Sequence, residues 1–210
     1  MGDLKIGDAF SEGWNIYKDN MGTCILATLL AALIGAVSCG ICAGPLFAGL
    51  LMMLRRLAKK SDPKPAVGDL FKGFDLFLPA FLLYFVCGLC YFVIQTVLFV
   101  IPIVGWIVAM LIAFAYGPLL VWSLMLVANR GMKWTEAVGF VLKQTLNGKF
   151  LLPILLGILA GLAGGIGAML CGIGLIFTMP YTFCVYAAAY EQVFGNEGNA
   201  EAPVEPEVVS

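Results

Sequence analysis

Residues 106–130 read WIVAMLIAFAYGPLLVWSLMLVANR. The stretch is apolar for 23 residues, from Trp106 to Ala128, is interrupted near its middle by Gly117-Pro118, and stops at Asn129-Arg130-Gly131. That is long enough to cross a hydrocarbon core of about 30 Å. Related patterns surround Gly44-Pro45 and Met179-Pro180. The rest of the chain can be laid out around these three interrupted helices.

Composition agrees with a chain whose solvent is largely lipid. Of 210 residues, 61% are hydrophobic and only 12% charged, against roughly 25% charged in a soluble domain. The net charge of −1 offers no basic excess for phosphates and excludes a nucleic-acid partner. There is no histidine, which removes the commonest general base and metal ligand. No cofactor is expected. Residues 1–20 carry charge throughout, so the first apolar run, from Met21, is read as an uncleaved first span.

Outward from the opening stretch, one order of elements recurs. Residues 5–20 place Phe10, Trp14, Tyr17 and Met21 on one helical face, with Ser11, Glu12, Asn15, Lys18 and Asp19 mostly elsewhere. Such a block suits a helix lying in the membrane interface; the alternative is a cap helix on a bundle. Spans are expected at Met21–Val37 and about Ile41–Ala58, joined by Ser38-Cys39-Gly40. A second amphipathic block, residues 66–79, has Val67, Leu70, Phe71, Phe74, Phe77 and Leu78 on its apolar face. Spans at about Leu76–Val100 and Trp106–Ala128 follow. The third block, residues 132–150, aligns Trp134, Ala137, Val138, Val141 and Leu142. Spans at about Phe150–Met169 and Ile173–Val193 follow, with a reversal at Leu170-Cys171-Gly172. The expected fold class is therefore an all-α membrane protein of six transmembrane helices. It forms three repeated two-span units, at about 5–58, 66–129 and 132–195, within one domain, 1–195. The acidic tail, 196–210, is expected to be disordered.

Short internal matches support the repeat. Ile6-Gly7-Asp8-Ala9-Phe10 parallels Val67-Gly68-Asp69-Leu70-Phe71, and Gly44-Pro45-Leu46 parallels Gly117-Pro118-Leu119. Repetition at this period points to one structural unit used several times. All twelve Lys and Arg residues lie in the first block, between spans two and three, or between spans four and five. By the positive-inside rule both termini and all three blocks face the cytoplasm of an inner membrane.

Pro45, Pro118 and Pro180 lie 10, 12 and 11 residues before Arg55, Arg130 and Glu191. At about 1.5 Å per residue this sets all three near the midplane, as kinks that leave the carbonyls of Ile41, Phe114 and Ile176 short of a partner. With Gln95, Tyr116, Tyr181 and Tyr186 they form the candidate kink or cavity set. Gly157, Gly161 and Gly165 are spaced for close helix packing. Two C-x-x-C pairs, Cys39/Cys42 and Cys87/Cys90, lack any nearby histidine or carboxylate and are read as packing. No catalytic or metal constellation is visible.

The stretches GDAFSEGWNIYKDN, GPLFAGLLMMLRRLAKK with VGDLFKGF, and YAAAYEQVFG resemble bacterial six-span inner-membrane proteins of unknown function, the YciC-like group and related domains. The membrane domain of some glycerophosphodiester phosphodiesterases is similar in style. The resemblance implies an inner-membrane location and brings no catalytic residues. Mitochondrial carriers also use three kinked units, but Pro45, Pro118 and Pro180 are followed by Leu-Phe, Leu-Leu and Tyr-Thr, without their acid. The expected role is structural, scaffolding or accessory and non-enzymatic. Expected partners are the lipid bilayer and a homo-oligomer or another membrane protein. The alternative is a passive pore or small-molecule transporter whose path passes the kinks.

Overall fold

The computed structural model describes residues 4–146, 151–169 and 173–195. The reversal at Leu170-Cys171-Gly172, the end of the third block and the acidic tail lie outside the described residues. Among the described residues all regular structure is helical. In chain order these are α1 (Ile6–Asp19), α2 (Met21–Val37), α3 (Ala43–Ala58), a 3-10 helix (Val67–Leu76), α4 (Phe77–Phe99), α5 (Val104–Arg130), α6 (Trp134–Leu146), α7 (Leu151–Met169) and α8 (Ile173–Phe194).

Local chemistry accounts for several boundaries. α5 ends where Gly131 adopts φ 62° and its N–H closes onto the Val127 carbonyl at 3.1 Å. That is the usual helix stop, in which glycine takes the left-handed conformation without a Cβ penalty. The turn between α1 and α2, at Asn20, bends the path by 93°. The second block runs straight on into α4, so Val67–Phe99 is one helical run of 33 residues. Its first part is 3-10, not the α-helix that the spacing suggested. In a 3-10 helix residues i and i+3 eclipse, and Phe71, Phe74 and Phe77 stack at 6.2 Å centroid spacings. The stack continues through Phe81 and Phe85 at the α-helical spacing of four.

Two helical runs are long and apolar enough to cross a membrane: Val67–Phe99 and α5. Only 11% and 17% of their most apolar windows are buried. In water such faces would form apolar patches far larger than soluble monomers expose. The chain is thus a helical protein with segments long and apolar enough to cross a membrane. α1 and α2, if counted as one bent span, make a third candidate. α2 and α3, with 17 and 16 residues, reach about 24–26 Å, short of a full hydrocarbon core.

α3, α5 and α8 meet one another at the centre, and α2, α4 and α7 lie outside them. Consecutive pairs α2–α3, α4–α5 and α7–α8 pack together. α1 packs on α8, the 3-10 helix on α3, and α6 on α5. The core lies where the central helices approach their charged ends. Leu50, Leu51, Met53 and Leu54 of α3, Val121–Val127 of α5 and Cys184–Tyr190 of α8 are buried there. Small residues let these backbones touch. A Cβ on Gly49 would overlap the Leu70 carbonyl oxygen, and one on Gly73 the Pro45 carbonyl oxygen. On α1 the buried face is Ala9, Gly13, Ile16 and Tyr17, with Gly13 against the Val185 backbone. Trp14 and Met21, expected on the apolar face, are exposed. α1 is therefore a cap seated on α8, turned so that its smallest residues meet the protein.

Candidate functional site

The three prolines are not equivalent. Pro118 and Pro180 lie inside α5 and α8. Pro45 is the third residue of α3, where the backbone N–H has no helical acceptor to lose. The expectation of a mid-helix kink at Pro45 is corrected: it starts its helix.

At Pro118 the freed Phe114 carbonyl faces α7. A Cβ on Gly157 would overlap that oxygen, so the Gly157 Cα–H is directed at it. A weak Cα–H···O contact of this kind recurs at close helix crossings and takes the place of the missing hydrogen bond. Gly161 lies against the Phe114 ring, while Gly165 has open space beside it. The glycine stripe therefore packs through its first two members. Opposite it, the Tyr186 hydroxyl approaches Gly117, and the Tyr186 carbonyl accepts from Trp122 Nε1 at 3.4 Å. Tyr186 is buried, and both sides of the break are filled.

Tyr181, next to Pro180, is ringed by Phe10, Trp14 and Tyr17 of α1 at centroid distances of 6.3, 5.7 and 6.1 Å, all edge-on. These rings anchor the break in α8 to the cap helix. Gln95 and Tyr116 sit apart from Tyr181 and Tyr186, on the α4–α5 hairpin. Gln95 Nε2 donates to the Tyr91 hydroxyl at 2.7 Å and to the Ala109 carbonyl at 3.3 Å. The Tyr91 ring stacks on Tyr116 at 4.2 Å. This polar group ties two apolar helices together. The candidate set thus divides into a filled break, a ring anchor and a hairpin clasp.

A fourth group joins the charged ends of the central helices. Arg55 of α3 donates to Glu191 of α8 and lies 5.7 Å above the Tyr190 ring. Lys59 Nζ is 3.5 Å from the same carboxylate. Arg130 of α5 donates to the Phe194 carbonyl at 2.9 Å. In the sequence Arg55, Arg130 and Glu191 mark the ends of the apolar stretches, with Glu191 the acid nearest to a span interior. Beside this knot, Asp69 joins Lys72 at 2.7 Å and Arg56 at 3.1 Å and accepts the Ala66 N–H at 3.2 Å. Its hydrogen bond to Lys72, helped by Ala66 and Arg56, holds the Asp69 carboxyl below the usual carboxylate range.

Between α1, the end of α3 and Glu191 lies a cavity of about 820 Å³ with charged walls. Among the described residues no group of three or more His, Cys, Asp or Glu is placed to hold a metal. No protein-family model matches the chain, and no curated protein or solved structure matches it.

Proposed function

We propose that the chain is a six-span inner-membrane protein of three two-span units, with both termini cytoplasmic and a structural, scaffolding or accessory role. The packing pattern supports the three units. Each amphipathic block sits on the second helix of the preceding unit, and α1 closes the series on α8. The distribution of Lys and Arg supports the orientation. The resemblance to YciC-like membrane proteins points the same way. Partners on this reading are lipid and a second membrane-protein chain, its own or another, and no nucleic acid.

The observation that carries a non-conducting role is the filled centre. Trp122, Tyr190, Phe194, Leu50 and Met125 are all at most 2% exposed where α3, α5 and α8 meet. The Arg55–Glu191 pair lies just beyond them. A path past the breaks would have to displace Tyr186 or the α7 backbone. The test is flux of potassium, protons and glycerol into liposomes holding the purified chain. The expected rate equals that of empty liposomes. Stimulated flux that Tyr186→Ala increases would replace this reading by the pore. Topology is tested separately: a cysteine at Ser61 should react with an impermeant maleimide only in permeabilised cells, and reaction in intact cells overturns the orientation.

A further inference from the structure

The 820 Å³ cavity has the size of a small-molecule site, and its walls differ in charge: acids line it from α1, and cations predominate on the end of α3 and the following loop, where Asp62 lies among the lysines. α1 contributes Glu12 and Asp19; the end of α3 and the following loop contribute Arg56, Lys59, Lys60 and Lys64. Glu191 and Asp62 also line it. Glu191 is already held by Arg55 and Lys59. Buried Ile16, Leu57 and Pro65 close the apolar floor. Among the described residues no ion pair crosses from the α1 acids to the cations opposite. Among the described residues Glu12 accepts a 3.4 Å hydrogen bond from Gln192, and neither Lys60 nor Lys64 has an ion-pair partner there. Two opposed charged walls held apart by an open volume are electrostatically complementary to a dipolar guest. A guest of one sign would leave the other wall facing it unpaired.

The backbone supplies a second observation. α3 ends with Lys60 N–H bonded to the Leu57 carbonyl and Ser61 N–H to the Arg56 carbonyl, at 3.1 and 3.0 Å. This stop places Lys60 at φ 50°, the position where glycine is favoured. A lysine there disfavours the turn, and Lys60 lines the cavity. Arg56 is already committed to Asp69 and to the Pro63 carbonyl, so the cations left for a guest are lysines. Lysine ammonium groups act as point charges and suit the spread oxygens of a phosphate. A planar carboxylate favours the fork of a free arginine.

We propose that this cavity binds a zwitterion carrying a primary ammonium and a phosphate: the headgroup of an aminophospholipid, or the same group free in solution. The ammonium faces Glu12 and Asp19, and the phosphate faces Lys60 and Lys64. Only the lipid source rests on the membrane reading above. The soluble arm stands or falls independently of it.

The test uses the full chain in nanodiscs of phosphatidylglycerol alone, titrated with glycerophosphoethanolamine. Glycerophosphoglycerol, lacking the ammonium, and ethanolamine, lacking the phosphate, are the comparison ligands. A parallel series adds phosphatidylethanolamine to the nanodiscs and reads bound lipid by native mass spectrometry. The zwitterion should bind in at least one series and more tightly than either half-ligand. Binding of the soluble form assigns a free ligand; retention of the lipid alone assigns the headgroup. Glu12→Gln with Asp19→Asn should erase the preference over the ammonium-free ligand or lipid. Lys60→Gly should weaken binding about fivefold, as for loss of one exposed ion pair, while the melting temperature holds or rises. A purely structural Lys60 predicts a raised melting temperature with binding unchanged, and that result overturns the assignment. Equal affinity for the phosphoglycerol compound, or no binding in either series, also overturns it.

Discussion

The two ends of the helix bundle are held together by different means. Towards the charged ends of α3, α5 and α8, large side chains interlock and glycines bring backbones into contact. Towards the uncharged reversals, the α4–α5 hairpin stands largely clear. Phe92, Phe99, Val100, Ile103, Val104 and Met110 are all more than half exposed there. In water the second arrangement would be untenable. In lipid, moving an apolar side chain from bilayer to protein yields little, so association rests on close packing and hydrogen bonds. The charged half has the packing; the hairpin has the Gln95 Nε2 bond to the Ala109 carbonyl at 3.3 Å, the Tyr91–Tyr116 stack, and the Trp106 Nε1 bond to the Phe99 carbonyl at 3.3 Å.

The contrast is tested most severely at its centre. Trp122→Ala should cost about 3 kcal/mol, the lower end of the range for a large aromatic because lipid removes part of the transfer term. Phe92→Ala, on the exposed hairpin, should stay within about 0.5 kcal/mol. Reversible unfolding in mixed micelles measures both, and equal losses would erase the distinction. Within α7 the comparison narrows to one methyl group. Gly157→Ala should destabilise by about 2 kcal/mol, since the methyl must push the Phe114 carbonyl away. Gly165→Ala, with open space beside it, should be neutral or slightly stabilising. The same micelle assay checks the pair.

A pH titration sharpens the charged side. Asp69 is held below the usual carboxylate range by Lys72, Ala66 and Arg56. Its contribution is therefore present above the ordinary aspartate value near 3.9 and is lost as pH falls through the lower folded value. Melting temperature followed from pH 7 to pH 2.5 should drop on the acid side, and Asp69→Asn should flatten that drop. The smallest effect is expected at the uncharged reversal. Ile103 sits at φ 63°, an unfavourable conformation for a β-branched residue. Ile103→Gly should raise stability by about 1 kcal/mol. A loss would mean that the side chain holds the turn in a way its exposure does not reveal.

The order of helices was legible because apolar runs and charge breaks are one-dimensional signals. α2 begins and ends where the runs at Met21 and Val37 do, and α5 ends at the predicted Asn129-Arg130-Gly131 stop. Facing was less legible. Hydropathy does not tell lipid from protein, because both accept an apolar side chain. In the first block Trp14 and Met21 are large and apolar, while Ala9 and Gly13, which carry little hydropathy, are among the residues of α1 buried against the protein. The 3-10 geometry of residues 67–76 was hidden for a related reason. Phe71, Phe74 and Phe77 fit a period of three as well as one of 3.6 over so short a span. Of the candidate residues, Gly157 and Gly161 carried a spacing that implies contact. The joining of Arg55 with Glu191, and the cavity between α1 and the end of α3, depend on elements far apart in the chain and leave no local mark.

The seating of α1 on α8 also sets a timetable for biosynthesis. Lys5 N–H bonds to Gln192, 187 residues away, so α1 waits for α8 to be made. At about 5–20 residues per second, that wait is on the order of 10–40 s. During it, the Ala9–Gly13 face must be sheltered by lipid or by a chaperone. Truncation before α8 leaves the Ala9–Gly13 face of α1 without its seat.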